Sequence, residues 1–214
     1  MREEIIKRVQ EFVRAELIKS SAFEDVTERE AQYRIEHSFR VANIALEIAK
    51  AEGLDCERMY VTALLHDIGY ATEMKSREDY RNHGRIGAGI ARPFLKELGY
   101  SAEEIGEMCY SIAMHVDDQA DCEGERTPFT LTTQDADNID RFDAFRLYEG
   151  LAGDDYHNIP IADQKVYVEK HLEGLKRLRE EPFGTATATK MWQDKVDFQL
   201  EFYKRLQHQI EISE

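Results

Sequence analysis

Residues 27–53 read TEREAQYRIEHSFRVANIALEIAKAEG. Thr27 and Glu30 sit at the spacing of a capping box, in which each side chain satisfies the other's free backbone N–H. Ile35, Val41, Ile44, Ala45 and Ile48 then recur at helical steps, and Gly53 supplies a stop, since glycine readily takes the left-handed conformation that ends a helix. The stretch predicts one long amphipathic helix. His37 lies four residues before Val41, seven before Ile44 and eleven before Ile48, so a histidine occupies the face that the pattern assigns to the core.

The same period runs outward in both directions. Upstream, Ile5, Ile6, Val9, Phe12, Val13 and Leu17 mark a first helix. Downstream, a short helix is predicted from about Asp55 to Ile68, then a polar loop between Gly69 and Asn82. Further helices are expected from near His83 to Leu98 and, after a second capping box at Ser101–Glu104, on to about Val116. The segment 117–128, DDQADCEGERTP, reads as an exposed turn. Helical spacing returns over 130–150, with Phe142 and Phe145 to bury, and over 161–179 and 187–210. No useful length shows the period-two alternation of a strand. The reading is all-α: a single domain over 1–214, with a core of about 30–150 and C-terminal helices 151–214 packed on it.

Composition narrows the function. The 214 residues are 42% hydrophobic and 33% charged, enough for a core. The net charge of −15 disfavours a nucleic-acid duplex or an anionic membrane surface, because either attracts an excess of Lys and Arg. Four prolines and twelve glycines are few for a turn-rich β architecture. No apolar run reaches the roughly 18 residues needed to cross a bilayer, and the charged N-terminal stretch is unlike a signal peptide. Cys56, Cys109 and Cys122 form neither a CxxC pair nor an even framework. A soluble cytoplasmic protein is expected.

Polar residues on apolar faces carry the chemistry. Besides His37, the adjacent pair His66-Asp67 falls among Val61, Ala63, Leu64, Leu65 and Ile68, His115 closes the series Met108, Ile112, and Asp137 lies in TTQDADNIDRFDAF. A single core histidine is more often hydrogen-bonded packing than a ligand, and an isolated HD dipeptide carries almost no information. An unpaired buried carboxylate, however, costs several kcal/mol, roughly, so buried acids come with partners. Two imidazoles and two carboxylates converging from separate helices would satisfy one another through a divalent cation, and nitrogen with oxygen donors suits Mn, Fe, Co, Ni or Zn better than Ca.

With His37, His66-Asp67 and Asp137 in this order, and with RIEHSFRVANIALEIA, TALLHDIGY and TQDADNIDRF around them, the chain resembles the HD-domain metal-dependent phosphohydrolases over about residues 30–150. The tail GLKRLREEPFGTATATKMWQDKVDFQLEFYKRL is similar to that of a subgroup of small bacterial HD hydrolases. The resemblance implies an all-α fold and metal ligands His37, His66, Asp67 and Asp137, with Asp135 as the alternative register for the last. Asp135 and Asp140 otherwise support the ligands or are solvated. His83 and His115 match the longer pattern of HD proteins that hold two metals bridged by the aspartate. They are either ligands of a second ion or acid and charge partners of a substrate phosphate.

The resemblance further implies hydrolysis of a phosphate ester or anhydride, in a nucleotide or other small phosphorylated metabolite, by metal-activated water. Asp67, His83 and His115 are the catalytic candidates. Arg40 lies one turn after His37 and Arg141 one turn after Asp137, while Lys75, Arg77 and Arg81 populate the loop after the HD pair. These five are the substrate-binding candidates, since phosphate recognition needs cations. A homodimer is allowed for. Two other readings use the same residues: a diiron oxygenase of the myo-inositol oxygenase kind, and a non-catalytic nucleotide sensor.

Overall fold

The computed structural model describes residues 1–213, and these contain helices and no strand. Nine α-helices follow in order: α1 Glu3–Leu17, α2 Glu28–Glu52, α3 Cys56–Leu64, α4 Arg77–Glu97, α5 Ala102–Met114, α6 Pro128–Arg141, α7 Ala144–Gly153, α8 Ile161–Leu178 and α9 Ala186–Glu211. The all-α expectation holds. No helix among the described residues is long and apolar enough to cross a membrane, and the three cysteines are free.

Local sequence explains most of the boundaries. α2 opens on the Thr27–Glu30 capping box and closes at Gly53, whose φ is 70°. α5 opens on the Ser101–Glu104 box. Three boundaries differ from the sequence reading. α4 starts at Arg77, six residues before His83, because the Asp79 N–H donates to Ser76 Oγ while the Asp79 carboxylate accepts from the Ser76 N–H. The predicted loop over 69–82 therefore shrinks, and part of what remains is a 3-10 turn at Ile68–Ala71. α3 ends at Leu64, so the HD pair lies in the turn beyond the helix and not on it. The 130–150 pattern is two helices, since Asp143 caps a new one by accepting from the Ala144 N–H. Phe145, predicted to be buried, is exposed.

The chain divides into two compact units, Met1–Asp137 and Asn138–Glu214. In the first, α2 packs on α3 and α4 on α5. Ile5, Val9, Val13 and Leu17 of α1 are buried, as are Ile35, Val41, Ala45 and Ile48 of α2, and Phe12 stacks on Phe94 with centroids 3.9 Å apart. Two glycines let helices approach backbone to backbone. A Cβ on Gly69 would come within 2.1 Å of the His83 carbonyl oxygen, and one on Gly84 within 2.8 Å of the Ile112 and Ala113 carbonyls. The turn after the HD pair is thereby pressed onto α4, and α4 onto the end of α5.

In the second unit α8 packs on α9. Trp192 is buried against Phe142 and Phe183 and donates its indole N–H to the Leu178 carbonyl at 2.7 Å. Gln199 donates to the Phe142 carbonyl at 2.8 Å, and Arg179 pairs with Asp197 through two bonds of 2.7 and 2.9 Å.

Candidate metal centre

Five of the six predicted ligands, His37, His66, Asp67, His83 and His115, are buried, and the Asp137 side chain is 13% exposed. They converge on Asp67. Its Oδ1 lies 3.1 Å from His83 Nε2 and 3.6 Å from both His66 Nε2 and His115 Nε2. Its Oδ2 lies 3.7 Å from His37 Nε2, which in turn meets Asp137 Oδ1 at 3.1 Å. The break after Leu64 makes this convergence feasible. Successive helical residues diverge by about 100°, so His66 and Asp67 could hardly face one centre from within a regular helix.

The imidazoles are oriented by the backbone. Nδ1 of His66, His83 and His115 meets the carbonyl oxygen three residues earlier, on Ala63, Tyr80 and Ile112, at 2.8, 2.6 and 2.7 Å. A carbonyl can only accept, so each Nδ1 carries a proton and Nε2 is the ring nitrogen that each imidazole turns to the centre. His66 Nε2 is buried with no hydrogen-bond partner. His83 Nε2 and His115 Nε2 are 3.1 Å apart beside a carboxylate oxygen. Nitrogens and a carboxylate gathered in this way suit a divalent cation. Nitrogen and oxygen ligands about 2.1 Å from one ion sit roughly 3.0–3.4 Å from each other at octahedral or tetrahedral angles, close to the spacings found here. Two sets, His37-His66-Asp67 and Asp67-His83-His115, could each hold a metal ion, with Asp67 common to both.

Electrostatics follow the same lines. Burial pushes the Asp67 carboxyl upward, but His66, the bonds from His115 and His83, and Arg34 outweigh it and hold the group well below the ordinary carboxylate range. Burial also raises Asp137, yet the hydrogen bond from His37 and the nearby imidazoles bring it down to about 2. Burial lowers His66 to about 4, against the pull of Asp67. For His115 burial acts downward too, but its contact with Asp67 wins and the pKa rises. Both acids are therefore ionised, and His66 is neutral, near pH 7.

Arg34 is a group that sequence reading missed. Its Nη1 donates to Asp67 Oδ2 at 3.3 Å and its guanidinium lies 3.7 Å over the Tyr70 ring. Tyr70 also packs at 4.6 Å on His83, and burial with the charge of Asp67 raises its hydroxyl to about 12. The signal was available: Arg34 precedes His37 by three, hence one turn away on the same side of α2. The predicted phosphate-binding cations fare differently. Arg40 lies 5.7 Å from the Tyr33 ring, which stacks on His37. Lys75 is exposed and paired with Glu73 at 2.8 Å, and Arg77 and Arg81 are exposed on the first turns of α4. Arg141 is exposed, one turn beyond Asp137 on α6. Asp135 and Asp140, allowed for as solvated acids, are buried instead. Asp137 is the acid whose oxygen meets His37, at 3.1 Å.

These six side chains, on their helices and turns, define a helical protein with a histidine–carboxylate centre. The sequence profile described as HD domain matches residues 34–144, more than half of the chain, and the chain belongs to the HD-domain family. No curated protein matches it. Among solved structures it is similar to a predicted HD superfamily hydrolase from an uncultured Thermotogales bacterium, with a TM-score of 0.61 and 23% identity over 95% of this chain and 91% of the other. At that identity the likeness is one of fold.

Proposed function

We propose that the protein is a metal-dependent phosphohydrolase that cleaves a phosphate ester or anhydride in a small nucleotide or similar metabolite. One observation carries this reading: three buried imidazoles, their Nδ1 protons committed to carbonyls, aim their Nε2 atoms at one buried carboxylate in a chain of the HD-domain family. The hydrolase description of the structural neighbour agrees with it.

In this reading His37, His66, Asp67 and Asp137 would hold one divalent ion, and His83 and His115, together with Asp67, would hold a second. Bound cations supply a water that ionises near neutral pH and a Lewis acid for the phosphoryl oxygen. The chain supplies the rest. Backbone carbonyls fix the imidazole tautomers, and the apolar surroundings keep the ligand charges unscreened. Arg34 has a side chain 33% exposed and lies over the Tyr70 ring, so it stands ready for an oxygen of the substrate phosphate. Tyr80, exposed beside Tyr70, offers a ring on which a base can stack.

The test is a phosphate-release screen over nucleoside mono-, di- and triphosphates with Mn, Co or Ni. Chelation and Asp67→Ala are each expected to abolish release by at least a hundredfold. Undiminished turnover in either case contradicts the proposal, and oxygen uptake by a two-iron form without phosphate release replaces it with the oxygenase reading.

A further inference from the structure

His83 and His115 are 32 positions apart, and so are Arg85 and Asp117. Each member of the second pair follows a member of the first by two residues. Arg85 donates to Asp117 through two bonds, Nη1 to Oδ1 at 2.8 Å and Nη2 to Oδ2 at 3.2 Å. Nη1 also donates to the Gln119 carbonyl at 3.0 Å, Nη2 to the Arg81 carbonyl at 3.0 Å, and Nε to Asn82 Oδ1 at 2.8 Å. A guanidinium has five N–H donors, and here all five are engaged. Arg85 therefore has none to offer a phosphate, although its place just after the HD segment suggests such a role.

What Arg85 does instead follows from what it joins. At one end it is tied to the first turns of α4, around His83. At the other it holds the turn that follows His115. That turn has a left-handed residue, Asp118, with φ of 61°, a conformation that non-glycine residues seldom adopt without support. Between the two pairs Gly84 rests on the Ile112 and Ala113 carbonyls, and a Cβ there would also lie 3.1 Å from His115 Nδ1. Three consecutive positions of α4 thus register against the end of α5: His83 on His115, Gly84 on the backbone, Arg85 on Asp117.

We propose that Arg85 and Asp117 are positioning residues for the second cation site, a clamp that keeps His83 and His115 close enough to share one ion. This rests on the two-ion reading of the centre. It does not involve His37, His66 or Asp137, so the first ion is independent of it. A bidentate, fully engaged guanidinium fixes both distance and orientation, which a lysine, with its single flexible point of charge, does not reproduce.

The test measures manganese per chain at fixed free Mn(II), together with the electron paramagnetic resonance signal of a coupled Mn(II) pair, in the full-length protein. The wild type is expected to hold two ions and show the coupled signal. Arg85→Ala and Asp117→Asn are expected to bind the second ion at least tenfold more weakly and to lose the coupling while keeping the first ion. Arg85→Lys should fall between them and the wild type. Melting curves check folding, and should Arg85→Ala fail to fold, the two milder variants decide. Retention of two coupled ions at wild-type affinity in the folded variants overturns the clamp. A wild type that holds a single ion also overturns it, but leaves a one-ion phosphohydrolase standing if chelation still abolishes phosphate release.

Discussion

The two units of the chain bury different kinds of side chain. The second has a mainly apolar interior, with Asp140 as its one buried acid among the described residues: Trp192, Val196 and Leu200 are buried, Phe142 and Phe183 lie half-buried against the indole, and the Trp192 N–H finds a carbonyl. The first has an apolar shell around four histidines and two aspartates, with a buried imidazole nitrogen left unmatched. An interior of the first kind is complete in itself. The second kind is completed from outside, because buried polar groups without partners are costly and a divalent ion is the group that satisfies this donor set.

That contrast can be broken in three ways, beginning with the largest change in stability. Trp192→Ala removes a large buried ring and should cost about 3–5 kcal/mol. Calorimetry should show the loss, while ion content at low temperature stays that of the wild type. Loss of the ions with the tryptophan would mean that the units are not distinct in kind. Gly84→Ala adds a methyl against two carbonyls and should cost about 1–3 kcal/mol. Its effect should include the second ion, since His115 is in the same contact, so titration with Mn(II) should show weaker binding at that site.

The third is a dependence on acid. In metal-free protein Asp137 has a pKa near 2, below its ordinary value of 3.8. A lowered folded-state pKa contributes stability that is present above the unfolded value and is lost as pH falls through the folded one. The window is therefore from about pH 4 down to about 2, with a contribution of about 2 kcal/mol at most. Urea midpoints of the wild type and Asp137→Asn, compared at pH 5 and pH 2.5, should converge at the lower value. A constant difference between them contradicts the shift.

Much of the first unit was legible because its signals are local. Thr27, Glu30 and Gly53 bound α2 in the sequence as they do in the structure, and His37 stood out as a polar residue on an apolar face. The start of α4 was hidden because Asp79, not Glu, closes the capping box, and the residues after it lack an apolar period. No proline or glycine stands at Leu65 to announce the end of α3, so the turn that lets His66 and Asp67 face one centre could not be read. Arg34 was overlooked although it lies one turn before His37: its partner Asp67 is 33 positions away in the sequence, and the fold brings the two together. Lys75, Arg77 and Arg81 cluster in the sequence and are exposed in the structure, where Lys75 pairs with Glu73, a local contact that the clustering did not announce. In the second unit, the break at Asp143 divided a pattern that periodicity alone ran together.

The most direct measurement is elemental analysis of the protein purified without added metal, beside Asp67→Ala prepared in the same way. The account predicts stoichiometric transition metal in the wild type, at up to two ions per chain, and loss of both ions when the shared carboxylate is removed. A wild-type protein that is folded, free of metal and indifferent to added Mn, Fe, Co, Ni or Zn would contradict it.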